Sequence, residues 1–301
     1  MNKKHIQHIP ARSNIKGFSI IEFMVASLLS MIVLIAVSGG YFTTLQLNKA
    51  GMQRLSVQQD LRNAANQIVR DARMAGSFGC FNISAAAADG SRKFTATAVT
   101  EENIANEKDA FKLLGGAGKD QLNPVKEITS GLPSGLTKAI AFQYGTDPVS
   151  GTGDIFSSCG KLYRPNGSKT DAEIKTALGA TQDNEITRMS YAVNAYAVGT
   201  VDGKTGLFRV QRSGNGWGNP QLLVDGPSSV DFEYIYPNDC AAGTFKLESS
   251  LRADTTPAMV RLRLNNGTAI NAGDAADTNN ITVYNIDATV RGGNTCADRT
   301  V

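Results

Sequence analysis

Histidine is almost absent from this chain, and both histidines, His5 and His8, lie among the first ten residues. If that segment is removed by processing, no histidine is left, which excludes Ser-His-Asp and Cys-His catalysis and the commonest zinc ligand sets. The carboxylates are scattered, without a pair suited to acid–base chemistry. The sequence therefore predicts no catalytic residues, no metal site and no cofactor, and we do not expect an enzyme.

Cysteine is also scarce: the chain has Cys80, Cys159, Cys240 and Cys296. Their wide spacing contains no CxxC unit, which argues against a zinc ribbon or a thioredoxin-like motif. An even number of cysteines in a chain that begins with an export-type segment predicts two disulfides in an oxidising compartment. Three pairings are open on spacing alone.

Acidic residues are missing from positions 1–17, which hold Lys3, Lys4, Arg12 and Lys16. Without this tail, the net charge of +3 becomes −1, with 26 Lys and Arg against 27 Asp and Glu. The basic character therefore belongs to the tail. A nucleic-acid binder is expected to carry a basic patch on its folded domain, so no direct nucleic-acid binding is predicted.

Charged residues are missing again from Phe23 to Asn48, a run of 26 residues that is long enough to span a bilayer as a helix. One interpretation is a cleaved secretory signal, with small residues at Ala36-Val37-Ser38 as the cleavage site. Another is an ordinary uncleaved anchor. The first leaves Glu22 unexplained. The second has to tolerate Glu22 inside or near the bilayer, where a central acid costs roughly 2.5–3.5 kcal/mol on insertion scales and less toward the interface.

A third interpretation accounts for Glu22. The segment Gly17-Phe-Ser-Ile-Ile-Glu22, which follows Lys16 and precedes the apolar run, closely resembles the prepilin signature of the type IV pilus and type II secretion families. The resemblance implies that residues 1–17 are a leader, that a membrane prepilin peptidase cuts after Gly17, and that Phe18 becomes an N-methylated mature terminus. An amino group buried among apolar helices needs a counter-charge. Glu22 would supply it within or between subunits, as an assembly residue.

The pattern predicts that the apolar run continues into a longer helix. Residues 18–48 would form a transmembrane and assembly helix, and residues 49–79 an amphipathic periplasmic helix. Glycines at 39–40 are a predicted bend, and Gly76 and Gly79 are predicted C-terminal breakers. Apolar residues recur at steps of mostly three or four along one face: Met52, Leu55, Leu61, Ala64, Ala65, Ile68, Ala72 and Ala75.

The rest of the chain predicts strands. Residues 80–138 read as a variable connection with short elements, and residues 139–301 as an antiparallel sheet with one covered face. A short helix is predicted by the capping box of Thr170 and Glu173, with Gly179 as its stop. Residues 202–206 are a predicted hairpin connection. The predicted strands are 139–144, 188–199, 207–212, 230–236, 259–264 and 281–290.

The order of helix and then sheet predicts an α+β fold, in which the long helix packs on the C-terminal sheet. This order resembles the pilin fold. Together with Met74-Ala-Gly-Ser-Phe-Gly-Cys80 and the segment 222–236, it resembles the PilW family of minor pilins and, more distantly, the J-type minor pseudopilins of type II secretion. The 82–138 connection has no counterpart in this resemblance.

The resemblance implies a structural role in a complex of minor pilins that primes pilus assembly at the tip, and by extension in twitching motility, adhesion and DNA uptake. Implied partners are other minor pilins and the major pilin through the N-terminal helix, the prepilin peptidase and a tip adhesin. The implied location is the inner membrane, in a single pass with a periplasmic C-terminal domain, and then the pilus at the cell surface. The alternatives are a J-type pseudopilin and, more remotely, a periplasmic enzyme or binding protein with a cleaved signal.

With this resemblance, the favoured disulfides are Cys80–Cys159 and Cys240–Cys296. The first would tie the helix end to the connecting region. The second resembles the C-terminal disulfide loop of pilins.

Overall fold

The structure is a computed structural model that describes the residue ranges 17–82, 98–115, 121–122, 124–148, 153–239, 242–252, 255–265 and 283–291. The side chains at positions 50, 53, 54, 115, 121 and 122 are outside this description. The chain divides into two units, Met1–Ser56 and Val57–Val301, and each is described by itself. Of the predicted leader, only Gly17 lies within the described residues.

The first unit contains the beginning of a long helix, α1 (Ile20–Met74). The helix continues without interruption through Gly39 and Gly40, the residues at which the sequence predicts a bend. The hydroxyls of Thr43 and Thr44 donate to the carbonyl oxygens of Gly39 and Gly40, at 3.0 and 2.9 Å. Hydroxyls that bond one turn back are satisfied within the helix, so they add no unpaired polar group to this apolar segment.

In the second unit, α1 carries a buried apolar stripe of Leu61, Ala64, Ile68 and Ala72. Steps of three and four place these side chains on one face of the helix. Met52 and Leu55, which the periodicity assigned to the same face, are exposed, so that part of the prediction is wrong. A repeat shows which residues share a face, but it does not show where along the helix a covering partner begins.

Helix α1 ends at Met74, and the predicted breakers have left-handed backbone angles, with φ of +79° at Gly76 and +64° at Gly79. The amide of Gly76 donates to the carbonyl oxygen of Gln143 at 2.9 Å, which fixes the exit of the chain onto the sheet. The helix predicted to reach residue 79 is therefore shorter. The chain turns directly into a hairpin of β1 (Ser77–Phe78) and β2 (Phe81–Asn82).

The remaining elements are mostly strands. They are β3 (Val99–Glu101), β4 (Leu114–Gly115), β5 (Gln121–Leu122), β6 (Val125–Ile128), β7 (Leu136–Thr146), β8 (Ile155–Ser157), β9 (Leu162–Arg164), β10 (Thr187–Val201), β11 (Lys204–Ser213), β12 (Gly216–Trp217), β13 (Gln221–Asp225), β14 (Ser229–Asp239), β15 (Thr244–Glu248), β16 (Met259–Asn265) and β17 (Val283–Thr289). Helix α2 (Asp171–Leu178) has the predicted capping box and the predicted glycine stop. Short 3-10 turns lie at Asp109–Phe111 and Asp183–Glu185.

The larger sheet is centred on β10, which pairs antiparallel with β7, β8 and β11. Strand β6 pairs with β7, so the sheet begins before residue 139, where the prediction placed its start. The pair of β3 and β9 is parallel, and it joins the predicted connection to this sheet. The predicted five-residue connection at 202–206 is also too long. Val201 pairs with Lys204, and Asp202 and Gly203 form a two-residue turn, both with positive φ.

The second sheet has four antiparallel strands in the order β15-β14-β16-β17. The predicted alternation in β16 is confirmed: Val260, Leu262 and Leu264 are buried, whereas Arg261 and Arg263 face outward and pair with carboxylates of the neighbouring strands. The predicted last strand is present as β17, and its first predicted residues, 281 and 282, lie outside the described residues.

One core joins the second part of α1 to both sheets. The helix stripe packs in one cluster with Phe142 and Tyr196 of the larger sheet and with Tyr234 and Leu262 of the smaller one. A second cluster, which includes Phe78 and Phe111, covers the opposite face of the larger sheet. The chain is thus an α+β protein with an N-terminal helix and a mostly β remainder, as predicted at that level.

Candidate functional site

The N-terminal part of α1 exposes large apolar side chains on every side. The span Ile20–Lys49 is 30 residues long, its most apolar stretch of 18 residues has a mean hydropathy of 2.6, and none of that stretch is buried. At 1.5 Å per residue it is about 45 Å long, more than the roughly 30 Å of a hydrocarbon core. A helix that is apolar all round is typical of a membrane span or of a helix enclosed by other chains. This segment is therefore long and apolar enough to anchor the protein in a membrane.

Glu22 lies in the first turn of α1, where its Oε2 accepts a hydrogen bond from the backbone amide of Ser19 at 3.0 Å. The hydroxyl oxygen of Ser19 in turn accepts from the amide of Ile21 at 3.4 Å. This arrangement resembles a capping box, and the Ser-x-x-Glu spacing at 19–22 could have predicted it. Glu22 thus has a local role at its own helix terminus beside the assembly role implied by the signature. Gly17 and Phe18 precede the helix, and Phe18 is 88% exposed.

The structure joins Cys80 and Cys159 in a disulfide, with their Cα atoms 4.7 Å apart. Cys80 lies in the turn between β1 and β2, just after α1, and Cys159 follows β8. The bond closes a span of 79 residues and fastens the exit of the helix to the edge of the larger sheet. The other predicted pair, Cys240 and Cys296, lies outside the described residues.

A buried carboxylate on α1, which the sequence did not indicate, connects the helix to the larger sheet. Asp71 is fully buried, and it accepts hydrogen bonds from the hydroxyls of Tyr144 at 2.9 Å and Tyr196 at 2.7 Å. Arg209 lies 3.7 Å from the same carboxylate. Burial, and then the charge of Asp71, raise the pKa of both tyrosines. The two phenols therefore remain neutral donors to Asp71.

A second buried charged cluster surrounds Arg164 at the end of β9. Its guanidinium is 1% exposed and contacts two buried carboxylates, Glu101 at 2.6 Å and Glu107. The ring of Tyr191 lies 4.4 Å from the guanidinium carbon. Lys126 lies within electrostatic range of this cluster. Its ammonium donates a hydrogen bond to the carbonyl oxygen of Lys112. Burial lowers the pKa of Lys126 to about 8.

Above this cluster lies a pocket of about 680 Å³ in the second unit. It is framed by the loop after β3, the approach to β8, the turn after β9, and side chains from β10 and β11. Gly153 lets the chain pass close to β10, because a Cβ at this position would lie 2.8 Å from the carbonyl oxygen of Met189. The next residue, Asp154, then accepts from the amide of Tyr191 and from Arg212. The sequence analysis assigned no role to this pocket.

Within the described ranges, no group of three or more His, Cys, Asp or Glu side chains is placed to hold a metal ion. Comparisons of the chain with protein-family models, with curated proteins and with solved structures gave no match.

Proposed function

We propose that this chain is a structural minor pilin of a type IV pilus, similar to the PilW family, that joins other minor pilins in the complex that starts pilus assembly at the tip. Its apolar N-terminal helix would hold it in the inner membrane with the second unit in the periplasm. It would leave the membrane when the pilus grows. The implied partners are the other minor pilins, the major pilin, the prepilin peptidase and a tip adhesin.

The observation that carries this proposal is the junction of the Gly17–Glu22 signature with the exposed apolar helix. The helix contains no charge from Phe23 to Asn48, and its apolar side chains are exposed all round. Such a surface is stable only in lipid or against other apolar helices. A subunit that exchanges a bilayer for the core of a helical filament meets this requirement in both states.

The placement of Glu22 supports the same proposal. Processing after Gly17 would leave the amino group of Phe18 one turn before Glu22. An amine in an apolar filament core is costly unless a carboxylate reaches it. Glu22 is the acid available in the first turn of α1. Because its Oε2 already accepts from the amide of Ser19, the remaining acceptor capacity of the carboxylate is free to contact an amine of a neighbouring subunit.

The first test is the mature N-terminus, measured by mass spectrometry on protein recovered from membranes. We expect an N-methylated Phe18. A terminus near Gly39 would indicate a cleaved secretory signal, and an intact Met1 would indicate an ordinary anchor. Either result would overturn the proposal. Recovery of the protein in sheared pili, with secretion unaffected by its deletion, would distinguish a pilin from a pseudopilin.

The second test separates the two roles of Glu22. Glu22→Gln keeps a side chain that can accept at the helix terminus but removes the charge, whereas Glu22→Ala removes both. We expect both variants to remain stable in the inner membrane and to be lost from sheared pili. If Glu22→Gln enters pili as the wild type does, helix capping is sufficient and the counter-charge hypothesis is wrong.

A further inference from the structure

We propose that the pocket above Arg164 binds a small acidic sugar, meaning a ring with several hydroxyl groups and one carboxylate. Its volume of about 680 Å³ lies within the roughly 300–1,000 Å³ of small-molecule sites. The pocket lies wholly in the second unit. The inference therefore does not depend on the proposed function, and it assigns the protein a ligand in addition to that function.

Cationic side chains outnumber carboxylates in the wall of the pocket. The lining side chains include four cations, Arg164, Lys169, Arg188 and Arg212, and one carboxylate, Asp154. Most of the compensating acids are not part of the wall. Glu101 and Glu107, for example, are buried against Arg164. These carboxylates fix the position of Arg164, which is itself 1% exposed, so the wall cations that can meet an anion are Lys169, Arg188 and Arg212.

Arg188 is the cation best placed to take a ligand carboxylate. Its Nη2 donates to Asp171 at 3.0 Å, and both side chains are partly exposed, at 34% and 66%. Exposed ion pairs of this kind contribute little, so a ligand can share or replace the pair. A guanidinium has five N–H donors and holds carboxylates in a fork. Lys169, which pairs with Glu102 at 3.1 Å, provides a second positive charge on the wall.

Two asparagines suit the hydroxyl groups of such a ligand. The side-chain nitrogens of Asn166 and Asn215 donate to the backbone oxygens of Asn103 and Ala105, at 2.8 and 3.0 Å. Their amide nitrogens are thereby anchored, and their oxygens are left as acceptors for hydroxyl groups. Beside Asn166, Gly167 has a φ of +81° and open space where a Cβ would stand. The backbone of this turn is therefore accessible from the pocket.

Phe156 and Ile174 lie beneath the wall, where they are buried at 4% and 1% exposure. The guanidinium of Arg188 lies 5.8 Å from the ring centroid of Phe156, so the ring supports Arg188 from behind. A pocket that combines cations with amide oxygens matches a ligand that has both a carboxylate and hydroxyl groups better than it matches a bare anion.

The test is isothermal titration calorimetry on the full chain in detergent with three probes. Glucuronate carries the carboxylate and the hydroxyl groups. Glucose is its neutral counterpart, and sodium sulfate is an anion without hydroxyl groups. We expect glucuronate to bind and glucose and sulfate to bind at least about tenfold more weakly, because each lacks one of the two recognised features.

A matched pair of variants locates the site. Arg188→Gln removes the proposed carboxylate donor, and we expect it to weaken glucuronate binding about tenfold or more. Arg263→Gln is the control, because Arg263 is also a partly exposed strand arginine, with one carboxylate partner, Glu233, at 3.2 Å. It should bind glucuronate as the wild type does.

Three results would overturn the inference: no glucuronate binding tighter than about 10 mM, equal binding of glucose or sulfate, or equal losses in the two arginine variants. Glu22→Ala separates this inference from the proposed function. The variant should bind glucuronate normally even when it no longer enters pili.

Discussion

Removing the buried carboxylate of Asp71 should loosen the packing of α1 on the larger sheet. The side chain has no exposed surface, and it is held by the hydroxyls of Tyr144 and Tyr196. Asp71→Ala leaves the hydroxyl of Tyr196 without its acceptor and Arg209 without its nearest carboxylate, which lies 3.7 Å away. Breaking a buried charged contact from one side costs about 3–5 kcal/mol, a large part of the total stability of a domain.

A double-mutant cycle measures how much of this loss of stability comes from the hydrogen bond between Asp71 and Tyr196. Tyr196→Phe removes a donor to a charged acceptor, and we expect it to cost about 1.5–3 kcal/mol in the wild type. In the Asp71→Ala background the same change should cost close to nothing, because the bond is already lost. The coupling energy therefore equals the value of the contact between Asp71 and Tyr196.

The assay is urea denaturation of the full chain in detergent, followed by the fluorescence of Trp217, the single tryptophan. Trp217 packs edge-to-face on Phe111 with ring centroids 4.5 Å apart, so it reports on the second unit. Asp60→Ala, a half-buried carboxylate of the same helix, is the control and should cost under about 1 kcal/mol. Equal costs for the two aspartates, or an unchanged cost of Tyr196→Phe in both backgrounds, would refute the reasoning.

Two further predictions concern the disulfide and Lys126. Replacing Cys80 and Cys159 together by serine should lower the free energy of unfolding by about 4–5 kcal/mol, on the chain-entropy estimate for a 79-residue span. The same urea denaturation measures this loss, and a loss under about 1 kcal/mol would contradict the prediction. Because the pKa of Lys126 is lowered to about 8, the unfolded chain binds more protons above that pH, and stability should rise by about 2 kcal/mol from pH 7 to 9.5. Lys126→Met should abolish the rise, and a rise that persists in this variant would have another source.

The features that could be predicted from the sequence depend on neighbouring residues. The capping box of Thr170 and Glu173 and the stop at Gly179 are both present in α2. Their physics acts within one turn of helix. The alternation of Val260 and Leu262 with Arg261 is likewise confirmed in β16, because a strand presents successive side chains to opposite faces.

The features that could not be predicted depend on residues distant in the chain. Asp71 looks like an ordinary helix-surface acid in the sequence, and it becomes a core residue because tyrosines 73 and 125 positions later meet it. The pocket likewise combines residues from β8 to β11, helix α2 and four loops, and no local sequence pattern predicts it. The early start of the sheet at β6 was missed because four residues are too few for a clear alternation.

The apolar N-terminal helix and the order of helix and then sheet follow from the sequence alone, since each is set by composition or by short-range periodicity. Long-range packing sets the other features: the stripe beginning at Leu61 packs on two sheets rather than one, Cys80 meets Cys159, and Arg164 and Asp71 are buried among their partners. The physical reason is that burial and charge pairing depend on which distant strands pack together, and this follows from the closing of the whole core.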